Sequence, residues 1–383
     1  MTTHTDTADT TNPADAFFDA VRAGNQAAVA QCLDQDPELV GAHDARSFGA
    51  TALNHACGRH DLEMVDLLLE RGADIDQRSD WWAGSWGVLD SGSPELADAL
   101  LDRGATLTAH AAARLGRLED LRALLDADGD GESVHARGGD GKQPLHFART
   151  IEVANLLLDR GAALDTRDLD HVSTPTQWLI TERPEVARHL VERGAASDPV
   201  IDVVLGRRDS LELLGDRIAS FRIDRAQFPS EPPAAGHIYL YTLGDGESLL
   251  HVAARSAPID MVRWLIENGV DANVTGGYDQ ATSLHQAAWH DRGPAVDALL
   301  DAGADINRPS GEIHRNEPIG WAIVAGSAEA ARRLLERGCQ LRDEHFEDAR
   351  AGAAGEFRAF QSARPLSAWL EVATLIKEAA PRS

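Results

Sequence analysis

"ATSLHQAAWHDRGPAVDALLDAGADINRP", residues 281–309, holds two short helices in one stretch. Thr282 and Ser283 supply a capping start, and Ala287-Ala288 lets two helices approach closely. A second apolar helix follows, and Gly303 after it is able to take positive φ as a helix C-cap. Between the helices stand Trp289, His290 and Asp291, three residue types that together resemble the beginning of an active site. The register separates them: Trp289 takes the eighth place of the unit and looks inward, whereas His290 and Asp291 fall at the helix exit. Asp291 stands where a turn glycine is expected, so it reads as a turn residue tolerant of positive φ.

The second half of this stretch recurs along the chain. "LLLERGADI", "LLDRGATL", "LLLDRGAAL", "LVERGAAS", "LIENGVDAN" and "LLERGCQL" place glycines at 72, 104, 161, 194, 269 and 338, alongside Gly303. Neighbouring intervals of 32, 33, 34 and 35 residues define an array, and the two longer intervals contain degenerate units. First halves recur as well: "TALNHACGRHDLEMV", "LTAHAAARLGRLEDL", "QPLHFARTIEV", "SLLHVAARSAPIDMV" and "EPIGWAIVAGSAEAA".

These offsets resemble the ankyrin repeat, whose pattern runs Thr-Pro-Leu-His, Ala-Ala, Gly-His, Leu-Leu-Leu, Gly-Ala-Asp. The resemblance covers nearly the whole chain and implies an all-α solenoid of stacked helix-turn-helix units. Units begin near residues 14, 50, 83, 107, 143, 174, 197, 248, 282 and 317. The expected organisation is a disordered tail at 1–13, a repeat block at 14–217, an insertion at 218–246, a second block at 247–345 and a helical cap at 346–383. Pro232-Pro233 and Gly236 mark a loop in the insertion, while His237–Leu243 has the aromatic and branched composition of a short strand. Its aromatic content argues for packing rather than for a flexible linker.

Composition narrows the partners. The 383 residues are 43% hydrophobic and 26% charged, enough apolar surface to fold, and the formal charge is -26 without any extended basic stripe. That field disfavours nucleic acid and anionic membrane and leaves a protein, a peptide or a small molecule as the expected partner. Cys32, Cys57 and Cys339 are too few and too scattered for a disulfide framework or a four-ligand zinc site. No apolar signal core and no 18-residue apolar run occurs, so a cytoplasmic setting is expected.

Histidines recur at the fourth place of the units, at 110, 146, 251 and 285, with Asn54 and Trp86 in the corresponding positions. Helices packed about 8–10 Å apart cannot bring two of them onto one zinc at about 2 Å. By resemblance they are structural groups that bond the neighbouring loop. No phosphate loop, nucleophile elbow or zinc-protease motif is present, and no cofactor or metal is expected.

The family's contact positions, the fifth and eighth places and the loop tips, select His55, Asp90, Gln286, Trp289 and Trp321. Trp81, Trp82 and Tyr278 join them, with Glu312, His314 and Arg315 from the loop before Trp321. Arg114, Phe147, Val252, Arg255 and Val324 share the same inward places. Trp264 and Trp369 read as core fillers. The leading expectation is a non-enzymatic scaffold that recognises a protein or peptide through its concave face and loop tips. The alternative is a small-molecule hydrolase, lyase or isomerase with a pocket under the 218–246 insertion, using His55, Asp90, His290 or His314 as acid or base. A third reading is a purely structural scaffold or an inhibitor of a neighbouring enzyme.

Overall fold

Backbone conformation at one recurring place organises the chain. In the computed structural model, which describes residues 12–228, 236–277, 279–311, 316–357 and 364–379, the seven glycines that close the second helices have φ between 83° and 104°. At six of them, 72, 104, 161, 194, 303 and 338, an added Cβ would meet nothing within 4 Å. The glycine is required there by backbone conformation and not by space. The following residue donates its N–H back across the turn, Ala73 to Leu68 O at 2.9 Å, Val270 to Leu265 O at 3.1 Å and Ala304 to Leu299 O at 3.0 Å. These bonds satisfy carbonyls that the helix end would otherwise leave open.

The chain is predominantly helical and divides into two compact units, Met1–Pro175 and Thr176–Ser383. In the first, Pro13–Ala23 pairs with Gln26–Gln35, Ala52–Gly58 with Leu62–Glu70, and Ala109–Leu115 with Leu118–Ala127. The helix Pro94–Leu101 is preceded by a loop instead of a first helix, and Ile151–Asp159 by a single 3-10 turn, Pro144–Phe147. In the second unit Leu249–Ser256 pairs with Ile259–Glu267, Ser283–Trp289 with Gly293–Asp301, and Pro318–Ala325 with Ala328–Glu336. Asp343–Ala353 and Leu366–Glu378 close it. Two-residue antiparallel strands, His43–Asp44 with Ala50–Thr51 and Thr275–Gly276 with Ala281–Thr282, form hairpin tips ahead of two first helices. Asn12 caps the first helix from within the tail expected at 1–13, and residues 1–11 lie outside the described residues.

The recurrent histidines tie each repeat to the next. His251 Nδ1 accepts from the Ser248 backbone N–H at 3.1 Å and from its hydroxyl at 2.8 Å, while Nε2 donates to Ala281 O at 3.0 Å. His285 does the same with Thr282, at 3.1 and 2.8 Å, and reaches Asn316 O at 3.2 Å. His146 bonds Gln143 N and Ser173 O, and His110 bonds Ala136 O. One ring nitrogen accepts and the other donates, so the neutral imidazole is the form that fits. Burial pushes His146, His251 and His285 down to about 4. Gly320 stands in the histidine's place in the next repeat, and the Asn316 side chain fills its space, 1.9 Å from where a Cβ would lie.

The insertion is packed, but not as a strand. Leu240–Gly244 forms a π-helical turn in place of the strand expected over His237–Leu243. The physical reason is burial: Ile238, Tyr239 and Leu240 are all inside, and three consecutive buried residues suit a helical turn against a core better than a half-exposed strand. Tyr239 stacks edge-on with Phe228, 5.0 Å between centroids, and its hydroxyl donates to Asp198 at 3.1 Å. Residues 229–235, with the Pro-Pro loop, lie outside the described residues. Trp369 is a core filler, with its indole N–H on Val324 O at 3.0 Å, whereas Trp264 is only half-buried.

Replacing His285 with Ala strips an N-cap partner, an inter-repeat bond and an edge contact with Trp321, whose ring centroid is 5.2 Å away. We expect a loss of about 2–4 kcal/mol in urea unfolding followed by circular dichroism, against under about 0.5 for the exposed His135→Ala. Folded pKa values below the ordinary 6.5 mean that these histidines favour the native state above that value. Their contribution is lost as pH falls toward 4, so the unfolding midpoint should drop over that range.

Candidate functional site

In the second unit the stacking brings the fifth and eighth places of successive repeats to one recess. Arg255 comes from Leu249–Ser256, Gln286 and Trp289 from Ser283–Trp289, and Trp321 and Val324 from Pro318–Ala325. Together with Leu243 and Glu247 at the end of the insertion they line a cavity of about 540 Å³. Trp289 and Trp321 meet edge to face, with centroids 5.8 Å apart and planes at 75°. The Trp321 indole N–H donates to Ser310 Oγ at 3.3 Å, so its donor is spent within the fold and its ring remains as wall.

Glu247, 1% exposed, also lines the recess. Its Oε1 accepts from the Arg255 guanidinium and from Gln286 Nε2, the latter at 3.1 Å. Burial pushes the carboxyl from its ordinary 4.5 up to about 7, and the ion pair and hydrogen bond with Arg255 pull the other way. The glycines at 244 and 277 lie against it: a Cβ on either would come to 3.3 Å from Oε1. Sequence reasoning missed Glu247. Its signal was positional, because the residue just before the cap is Ala50 and Ala281 in other repeats and an acid only here.

The three residues at the helix exit separate in space. Trp289 lines the recess, and His290 stands exposed at its rim, where packing around the ring and then Arg255, Arg364 and Arg292 push its pKa down. Asp291 has φ 58° and caps the next repeat, its Oδ1 accepting from Ala330 N at 2.9 Å. It is a turn residue.

In the first unit the aromatic residues gather at a loop tip. Phe48, at φ 54° in the hairpin, is 68% exposed and meets Trp81 at 4.8 Å, and Trp81 meets Trp82, which is 70% exposed, at 5.9 Å. Gly49 fixes this geometry, since a Cβ there would come within 2.7 Å of Asp80 O. Phe48, Trp81 and His55 share a cavity of about 460 Å³. His55 is anchored from behind by Asp44, 3.1 Å from its Nε2. Asp90 does not reach the surface as a contact residue: its Oδ2 accepts from Arg78 and from Gly87 N, both at 2.7 Å, so this buried carboxylate holds its own loop. Tyr278, Glu312, His314 and Arg315 lie outside the described residues.

Among the described residues, Glu317, Glu344 and His345 are grouped closely enough to hold a metal ion. The Arg342 guanidinium already occupies that role, 2.6 Å from Glu317 Oε2 and paired with Glu344 as well. No helix among the described residues is long and apolar enough to cross a membrane.

Short antiparallel helix pairs, glycine-closed and joined by buried imidazoles, define a helical-repeat solenoid protein. The chain carries ankyrin repeats: residues 232–310 match a model for three ankyrin repeats and residues 48–80 a single ankyrin repeat. It is similar to the E3 ubiquitin-protein ligase KEG of Arabidopsis thaliana, 23% identical over 318 residues, covering 75% of this chain and 18% of that protein. The ankyrin repeat domain-containing protein SAT10 of Stachybotrys chartarum is 24% identical over 318 residues, covering 77% of this chain and 15% of that protein. The chain thus spans under a fifth of either relative. The crystal structure of the human ASB11 ankyrin repeat domain aligns with 62% of this chain and 100% of its own, at 23% identity and a TM-score of 0.34.

The raised pKa of Glu247 has a measurable consequence. The native-state stability it supplies is fully present below 4.5 and is lost as pH rises through about 7. Glu247→Gln removes that dependence. Its stability relative to the parent should therefore increase between about pH 5 and about pH 8, by on the order of 2–3 kcal/mol in paired urea titrations. A constant difference across that range would show that the carboxyl titrates normally.

Proposed function

We propose that this chain is a recognition scaffold that binds a protein or peptide through the aromatic tip of its first unit and the inner recess of its second. Ankyrin-repeat architecture generally supports protein–protein interaction, and it favours a non-enzymatic module over an enzyme. The observation that carries the finer reading is the solvent exposure of Phe48 and Trp82, 68% and 70%. Large aromatic side chains in water are a cost to a monomer and a source of affinity to a complex. Here they stand on backbone fixed by Gly49 and by the Asp80 N–H bond to Gly49 O at 2.9 Å, so little conformational freedom remains to be lost on binding. The chain's charge of -26 favours a partner with a basic face.

Two of the four groups expected to act as acid or base under the enzymatic alternative are engaged within the fold. His55 is bonded to Asp44, and Asp90 holds Arg78.

A photoreactive phenylalanine analogue placed at Phe48 or Trp82 should cross-link a discrete partner in extract of the source cells. The same analogue at Leu213, 83% exposed in the second unit, should not. The Phe48→Ala, Trp82→Ala double variant should retain its unfolding midpoint and lose partner affinity by at least about thirtyfold, the scale of a 2 kcal/mol hot spot. Equal cross-linking from all three positions would remove the tip from the recognition surface.

A further inference from the structure

The recess contains a polar group that stacking does not use. Glu247 Oε1 is engaged by Arg255 and Gln286, but its Oε2 is buried without a hydrogen-bond donor among the described residues, and Arg255 Nε is buried without an acceptor. Buried polar atoms of native proteins nearly always have partners, and an unpaired oxygen on a carboxylate that lines a cavity is a place for a donor from outside the chain. Gly276 and Gly277 also line the cavity.

Charge selects the class of donor. Of the described residues that line the recess, Glu247, Asp279 and Asp348 are acidic, and Arg255, which is paired with Glu247, is basic. Trp289 and Trp321 present ring surface suited both to an apolar stem and to a cation. A volume of about 540 Å³ is within the range of small-molecule pockets.

We propose that this recess binds an organic cation bearing at least one N–H, an ammonium or guanidinium on a short apolar stem. The N–H donates to Glu247 Oε2, and the stem lies against Trp289 and Trp321. Such a group can belong to a free amine or to a lysine or arginine side chain of a bound peptide, since the chemistry at the carboxylate is the same. The inference rests on the reading of the recess as a recognition site and not on the Phe48 and Trp82 tip, so the two fail separately.

The test is isothermal titration of the full chain with n-hexylamine, hexyltrimethylammonium, hexanol and a capped Gly-Gly-Lys-Gly-Gly peptide. Hexylamine should saturate one site. Affinity should fall about tenfold in Glu247→Gln and about tenfold for the quaternary analogue, which cannot donate, and should be unchanged in the exposed Glu336→Gln. Tighter binding of the peptide than of hexylamine would identify a partner's side chain as the source, and the reverse order a free amine. If Glu247→Gln fails to fold by near-ultraviolet circular dichroism, the parent protein decides. Its affinity for hexylamine should rise from about pH 6 to about pH 8, where the amine stays protonated. Over that range Glu247 ionises beside Arg255, with Asp279, Asp348 and His290 on the surrounding walls. Absence of saturable hexylamine binding, equal binding by Glu247→Gln, or equal binding of the quaternary analogue would overturn the proposal, as would a flat pH series.

Discussion

A neutral imidazole, accepting at Nδ1 from its own helix cap and donating from Nε2 to a carbonyl of the next repeat, sets the register of this chain. His251 on Ala281 O and His285 on Asn316 O are successive instances. Each bond spans about thirty residues of sequence and starts from a fully buried imidazole, so a slip of one residue would leave that ring nitrogen unpaired at substantial cost. The glycine turns supply the reversal of direction, but the imidazoles determine which residue of one repeat lies over which residue of the next.

The recess follows from that register. Arg255, Gln286, Trp289 and Trp321 are far apart in sequence and meet because equivalent places of three repeats are superposed. His285 also packs edge-on against Trp321, so the same ring that fixes the stack orients the wall of the cavity. Site and scaffold are coupled through a shared side chain.

The repeat was legible because its constraints are local and recur. The ends of the seven second helices need positive φ and take glycine there, and the histidine, with its cap two or three residues before it, is visible in the linear sequence. The division of Trp289 from Asp291 was legible for the same reason, since helical register alone sends one inward and the other to the turn. Glu247 was not, because its character comes from Arg255, Gln286 and Gly277, all supplied by later segments. Asp90 misled in the opposite direction: its place in the repeat indicated a contact residue, while Arg78 and Gly87 turned its carboxylate into loop. The π-helical turn at Leu240–Gly244 was hidden because aromatic and branched residues suit a strand or a buried turn equally well until the surrounding core is known.

Arg364, just ahead of the closing helix, donates to Trp289 O at 3.3 Å and Gly326 O at 3.0 Å, and pairs with Asp291 at 3.4 Å. The segment leading into Leu366–Glu378 is therefore fastened to the backbone at the recess rim and not only to its nearest neighbour. Loosening Arg364 would free the Trp289 carbonyl at the same time, so an occupant held against Trp289 would also steady the segment that leads into Leu366–Glu378.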